Sequence, residues 1–333
     1  MFPGYQDSGA DICYVLRQSG HSVITSTDEP FPLVDEGWTF PDTERGILAA
    51  VQKGATHLWA NTVLFGNHPL QGSSALDKHS RKLKVVGQPP LLVDEYDDKN
   101  FVNSLLRKDG RFTLPESRIL NCADPACVFG LSYPIVGKPI RGRGSHGVKL
   151  CHTEPELCAH LEGLLKESPL VMVEEYLAGE EATVTVMPPS PPEHSTYWAL
   201  PIVTRFNHER GIAPYNGAVA VTQNSRVPSH SDLSSDRAYQ KISSECVAVA
   251  ELLRVTAPIR IDVRRVREVK GAPFAMFDVN MKPNMTGPGR PGREEQASLT
   301  AIAAEGLGWG YHRLLGGVLG GARTLEELRA TYL

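Results

Sequence analysis

Apolar residues at Ile12, Val15 and Leu16 recur at helical spacing, with Asp7 placed to cap the start and Gly20 to end it, so a helix is expected over residues 8–18. HSVITST then reads as a strand. The helical pattern returns in PDTERGILAAVQKG, between Pro41 and Gly54, and THLWANTVLF reads as a buried strand. This alternation argues for an α/β layer with a mostly parallel sheet. An α/β half of this kind normally opens with a strand, whereas here a loop and a helix come first; the first strand is expected to be absent or the sheet trimmed.

DDKNFVNSLLRKDG predicts a helix capped by Asp97 or Asp98 and ended by Gly110, with RFTLPES leading away as a strand. Further along, TEPELCAHLEGLLKE and RAYQKISSECVAVAELLRV carry helical periodicity. LVMVEEYL, EEATVTVMP and YWALPIVTR read as strands, and PIRIDVRRV with FAMFDVNMK as a hairpin. PPSPPEHS is a proline-rich surface loop between strands. From Glu294 to about Leu319 the pattern is largely helical, and no internal repeat stands out.

The 333 residues exceed what one core usually absorbs, which predicts two or three subdomains. A hydrophobic content of 41% with 22% charged residues is that of an ordinary globular chain. The formal charge of -4 and a pI near 6.3 provide no general footprint for nucleic acid or an anionic membrane, which turns attention to small-molecule partners. No apolar run approaches the roughly 20 residues of a membrane span, and MFPGYQDSGADICYVLRQSG lacks the basic region and apolar core of a signal peptide, so a cytoplasmic location is expected. Cys13, Cys122, Cys127, Cys151, Cys158 and Cys246 form no CxxC pair and are expected to be reduced, mostly buried thiols.

Chemistry concentrates in three stretches. In YPIVGKPIRGRGSHGVKL, Gly142, Gly144 and Gly147 remove side-chain bulk between two strand-like runs, so backbone N–H groups can approach a phosphate while Lys138 neutralises its charge. The spacing is neither Rossmann nor Walker, and a tight hairpin with a solvated lysine is the alternative. In VMVEEYLAGEEATVTV, the break between strands offers backbone groups to an adenine edge and a carboxylate to ribose hydroxyls; an acidic surface loop is the alternative. In IRIDVRR and MFDVNMKPN, alternation puts Arg260 and Asp262 on one face, and Asp278 and Asn280 together opposite Phe277 and Val279. Two carboxylates and an amide suit Mg²⁺, and an ion pair of Arg260 with an aspartate is the structural alternative.

These motifs, in this order from about Asp97 to Leu315, resemble the ATP-grasp superfamily, and within it the D-alanine–D-alanine ligase-like carboxylate–amine ligases. The resemblance implies an α/β (α+β ATP-grasp) fold. Its parts would be an N-terminal α/β domain over 1–95, a central lid subdomain over 96–179, and a C-terminal catalytic subdomain with antiparallel sheets over 180–333. It implies that Lys99 and Lys138 bind nucleotide, and that the loop from Arg141 to Gly147 closes over the triphosphate, with Ser145 and His146 near the reacting phosphoryl group. Glu174, Glu175 and Leu177 match the adenine hinge, Glu181 the ribose carboxylate, Asp262, Asp278 and Asn280 the magnesium ligands, and Arg260 the arginine facing the tetrahedral oxyanion.

Departures bear on substrate. Asp278 stands where the family usually has glutamate. MKPNMTGPGRPGR introduces Lys282, Arg290 and Arg293 where the family binds the amine-donating amino acid, which implies a larger or more acidic acceptor. The acidic residue that holds the donor's ammonium has only Asp7 and Asp11 as counterparts. RFNHERGIAPYNG offers His208, Arg210 and Tyr215 in place of the usual tyrosine and lysine, and His68, at the expected C-terminal end of a buried strand, either lines the donor pocket or is a satisfied loop histidine. A true D-alanine–D-alanine ligase is therefore not expected. The implied activity joins a small-molecule carboxylate to an amine, both amino-acid-like, through an acyl phosphate. ATP and two Mg²⁺ ions, replaceable by Mn²⁺, would serve it, and the resemblance also implies a homodimer. The rival readings are an ATP-grasp phosphotransferase or bicarbonate-using enzyme, and a nucleotide-binding regulatory module without turnover.

Overall fold

The computed structural model describes residues 3–124, 128–142, 144–212 and 220–330, arranged around three sheets. The chain begins with α1 (Pro3–Gln18), α2 (Glu44–Gln52), β1 (His57–Trp59), α3 (Pro69–Gly72), β2 (Lys84–Val86) and α4 (Pro90–Tyr96). β1 and β2 pair in parallel, with Leu58 opposite Val85. The strand expected over 21–27 does not form. Lys53 donates to the carbonyls of Thr25 and Ser26, and Arg17 to that of Val23, so side chains satisfy backbone that a strand neighbour would otherwise take. The strand expected over 56–65 shrinks to β1.

Next come α5 (Lys99–Asp109), β3 (Ser117–Leu120), β4 (Ile135–Pro139), β5 (Lys149–Cys151), α6 (Glu154–Leu164) and β6 (Val171–Glu175). Asp98 caps α5 by accepting from Asn100 N and Phe101 N, and Gly110, at φ 81°, ends it. RFTLPES is not a strand: Thr113 O accepts from Met276 N in another sheet, and pairing within this one starts at Ser117. The four strands are antiparallel in the order β3-β6-β4-β5. Leu157, Leu161 and Leu164 of α6 bury the face carrying Ile135, Val171 and Val173. Alternation therefore turns Lys138 and Glu174 to the other face.

The largest sheet comprises β7 (Glu181–Met187), β8 (Trp198–Ala199), β9 (Val203–Arg205), β10 (Ser225–Arg226), β11 (Ile259–Arg265) and β12 (Phe274–Asn280), with α7 (His230–Ser235) and α8 (Arg237–Leu252) between β10 and β11. Its order is β10-β9-β7-β11-β12, with β8 on β7. YWALPIVTR divides into β8 and β9 around Pro201, which has no N–H for a ladder. Tyr239, Ile242, Cys246 and Val249 form a helical stripe on α8 that packs with Ile259, Ile261 and Val263. Arg260, Asp262 and Arg264 consequently face away from α8. The expected hairpin forms in register, Arg260 opposite Asn280 and Asp262 opposite Asp278.

The C-terminal pattern resolves into α9 (Leu299–Gly306), α10 (Tyr311–Gly320), β13 (Arg323–Thr324) and α11 (Leu325–Ala330). Ser298 caps α9, so helix starts later than the expected Glu294. β13 pairs antiparallel with β2 and completes the first sheet. Cys151 and Cys246 are buried, but Cys122 is exposed, and Cys127 lies outside the described residues. No helix among the described residues is long and apolar enough to cross a membrane.

Candidate active site

The face of the β3–β6 sheet turned away from α6 and the large sheet enclose one cleft, and Lys138 of β4, Glu181 of β7 and Asp278 of β12 all line it. Lys138 is buried; its Nζ lies 2.6 Å from Glu174 Oε1 and donates to Phe277 O at 2.9 Å, so one ammonium links the two sheets. Burial pushes the Glu174 carboxyl above its ordinary range despite the opposing pull of Lys138. Its second oxygen, Oε2, is a buried acceptor with no partner among the described residues. Glu175, Tyr176 and Leu177 continue the lining, with Arg264 stacked on Tyr176 at 4.8 Å.

Lys99, the first residue of α5, also lines the cleft, 3.4 Å from Asp278 Oδ1, and donates to Gly142 O at 3.2 Å. Gly142, Gly144, Ser145 and His146 line the cleft, whereas Gly147 stays outside it. His146 is largely exposed and sits 3.1 Å from Glu167. His160 Nε2–H donates to the carbonyls of Gly137 and Gly147, anchoring the loop's far end to β4. Gly147 has φ +69°, and a Cβ there would lie 2.8 Å from Leu164 Cδ2. Gly147→Ala is thus expected to cost about 1–2 kcal/mol in backbone strain alone. Limited proteolysis should cut the loop faster in this variant; an unchanged rate would show that the anchor does not order it.

Asp262 and Asp278 lie opposite each other on adjacent strands. Asp262 accepts a bidentate pair from Arg260, at 2.8 Å from Nε and 2.9 Å from Nη2, and further bonds from Thr183 Oγ1 and Asn280 Nδ2. Burial alone would raise this carboxyl, but Arg260, the Thr183 hydroxyl and Arg205 together outweigh it and the net shift is downward. The stability Asp262 contributes is therefore present above its ordinary 3.8 and is lost as pH falls through the folded value. Thermal melts taken from about pH 5 downward should fall, less steeply for Asp262→Asn. Because the amide nitrogen of Asn280 faces Asp262, its oxygen remains for another partner. Among the described residues no three His, Cys, Asp or Glu side chains are grouped to hold a metal ion. Two carboxylates and an amide oxygen fit Mg²⁺ in the form that phosphate and water complete.

Several residues singled out in the sequence lie elsewhere. Arg290 does not line the cleft; it is 2% exposed, with Nε 2.9 Å from Asp11 Oδ1 and Nη2 2.8 Å from Asp7 Oδ1. Arg293 binds the same two aspartates, so all four residues form a lattice, buried at Asp11 and Arg290 and half-buried at Asp7 and Arg293, that joins α1 to the segment after β12. His68 is structural: Nδ1 accepts from Leu70 N at the start of α3, and Nε2 lies 2.7 Å from Asp42. That contact holds the Asp42 carboxyl below its usual range. Lys282 lines a separate cavity. Arg210 is exposed, and Tyr215 and Arg143 lie outside the described residues. His208 Nε2–H donates to Glu181 Oε2 at 2.9 Å. Sequence reasoning missed Arg205 and Arg264, which stand in register with Glu181 on β9 and β11 and approach it to 3.5 and 3.7 Å.

A family model described as D-ala D-ala ligase C-terminus matches residues 116–317. The chain is 28% identical over 195 residues to a D-alanine–D-alanine ligase of Syntrophotalea carbinolica, covering 57% of this chain and 54% of that one. It is 27% identical over 223 residues to D-alanine–D-alanine ligase A of Bacillus cereus, covering 66% and 65%. The matches thus span about half to just under two thirds of these relatives' length. In fold, the chain is similar to the D-alanine–D-alanine ligase of Bacillus anthracis complexed with ATP, with a TM-score of 0.59 at 21% identity over 86% of this chain and 84% of that one. The Coxiella burnetii enzyme gives 0.59 at 14% identity, over 83% and 69%.

Proposed function

Because this chain belongs to the D-ala D-ala ligase C-terminal family, with an ATP-grasp fold, we propose that it is an ATP-dependent ligase joining a small carboxylic acid to an amine, both amino-acid-like. The observation that carries this reading is the shared cleft. The same cleft offers the buried Glu174 Oε2, which has no partner among the described residues and suits an exocyclic amino group, and gathers Lys99, Asp262 and Asp278 with residues of the glycine-rich loop.

In the proposed reaction a carboxylate oxygen of the acid attacks the γ-phosphorus of ATP, and the bond to ADP breaks. The amine then attacks the acyl carbon. A C–N bond forms, the C–O bond to phosphate breaks, and the amine's protons pass to phosphate and solvent. Phosphorylation turns a poor leaving group into a good one. Glu181 accepts the ribose hydroxyls, while Lys99 and Lys138 neutralise phosphate charge. Mg²⁺ held by Asp262, Asp278 and Asn280 would supply charge neutralisation at the phosphates. Arg260 faces the oxyanion that develops at the acyl carbon, and the loop over 141–147 keeps water from the acyl phosphate.

ADP release that requires an acid, together with a condensation product found by mass spectrometry when an amine is added, tests this function. ADP release unaffected by any acid would overturn it. The incomplete donor set makes a second prediction: Mn²⁺ titrated by electron paramagnetic resonance should bind at least about tenfold more tightly with ATP present than without. Asp278→Asn should remove most of that difference. Equal affinity with and without nucleotide would contradict the ligand assignment.

A further inference from the structure

A second cavity, of about 40 Å³, lies beyond the C-terminal ends of the parallel strands β1 and β2, where ligand sites in α/β sheets collect. Met281 and Lys282, which line it, directly follow Asn280, so it adjoins the proposed phosphoryl-transfer centre. Its walls are mainly apolar, including Leu64, Val86 and Val318. Asn61 is the informative polar group. Its Nδ2 donates to Tyr5 O at 2.8 Å and Ser8 Oγ at 2.9 Å; Tyr5 O can only accept, which fixes the amide's orientation. Asn61 Oδ1 is then a buried acceptor with no partner among the described residues.

Among the described residues no aspartate or glutamate lines this cavity. Asp7 and Asp11, the acidic residues of the neighbouring helix, are both engaged by Arg290 and Arg293. The cation that does line it, Lys282, has its Nζ 4.0 Å from the Tyr5 ring centroid. An ammonium group brought here would meet a lysine and a neutral amide, with no carboxylate among the described lining residues to offset its desolvation. A hydroxyl or an amide N–H would satisfy Asn61 Oδ1 at no such cost.

We infer that this cavity receives the acid substrate, and that the acid carries a small apolar side chain and an uncharged hydrogen-bond donor beside its carboxylate, as a 2-hydroxy acid or an N-acylated amino acid does. The inference rests on the ligase reading and narrows its acid partner; phosphoryl transfer itself is unchanged.

Calorimetric titration of the full chain, with Mg²⁺ and a non-hydrolysable ATP analogue present, tests it with lactate, N-acetylalanine and alanine, each as both enantiomers. Lactate or N-acetylalanine should bind at least about tenfold more tightly than alanine, and whichever leads identifies hydroxyl or amide N–H as the donor. Asn61→Asp, which supplies the missing carboxylate, should shift the ratio toward alanine by about tenfold, and Lys282→Met should shift it the same way by less. Should the Asn61 variant fail to fold, the ranking by the parent chain still decides. Alanine binding as tightly as its uncharged counterparts, or no binding by any of the three, overturns the inference. ADP release with alanine alone would sink this inference and leave the ligase reading standing.

Discussion

Replacing Arg260 with alanine is expected to lower turnover by about 10²–10³-fold while ATP still raises the melting temperature. Arg260 faces the same side of β11 as Asp262 but does not line the nucleotide cleft, so its loss should separate chemistry from nucleotide binding. Its guanidinium holds Asp262 through two parallel bonds, a geometry lysine cannot copy. Removing it leaves the Asp262 carboxylate with Thr183 and Asn280 as its donors among the described residues, and breaking a buried pair in this way costs about 3–5 kcal/mol. Arg260→Lys should recover part of the stability and little of the turnover. Steady-state ADP release and melts with and without ATP read both effects. An alanine variant turning over at nearly the parent rate would reduce Arg260 to a counter-ion of Asp262.

Lys138→Met should abolish measurable ATP binding and also destabilise the fold by about 3–5 kcal/mol, since it strands the Glu174 charge between two sheets. The folded Glu174 carboxyl already lies above its ordinary 4.5, so folding favours its protonated form, and the variant should regain stability as pH falls toward that value. Adding Glu174→Gln removes the stranded charge. The double variant is therefore expected to melt near the parent temperature and still fail to bind ATP, a non-additivity that separates the structural role of Lys138 from its role toward phosphate. ATP binding by the double variant would move the phosphate contact away from Lys138.

The period-2 pattern in IRIDVRR and MFDVNMKPN was enough to place Arg260, Asp262, Asp278 and Asn280 on one face, because one side of that sheet is buried by α8 and register follows burial. Asp98 and Gly110 announced both ends of α5 for the same local reason: caps are side-chain chemistry within a few residues. HSVITST misled because its backbone is satisfied by Arg17 and Lys53, and nothing in its own composition distinguishes that from sheet pairing. The pairing of Arg290 with Asp11 joins residues 279 apart in sequence, beyond any local pattern, and it turned an expected substrate ligand into a structural clamp. Asn61 carried no motif at all. Its role emerges only once Tyr5 fixes its amide and the cavity shows its remaining oxygen unpartnered. The assignment of roles to Lys99, Glu181 and Arg260 came from resemblance; Lys99 and Glu181 line the shared cleft, and Arg260 reaches its edge only through Asp262.

The central claim is that one ATP in this cleft hands its terminal phosphoryl group to a carboxylate. Turnover with an acid labelled with ¹⁸O in its carboxyl group tests it most directly, read by mass spectrometry of the released phosphate. Transfer of one labelled oxygen from the acid into phosphate is the predicted result, because that oxygen bridges carbon and phosphorus before the amine displaces it. Phosphate released without label, carrying solvent oxygen instead, would contradict the account.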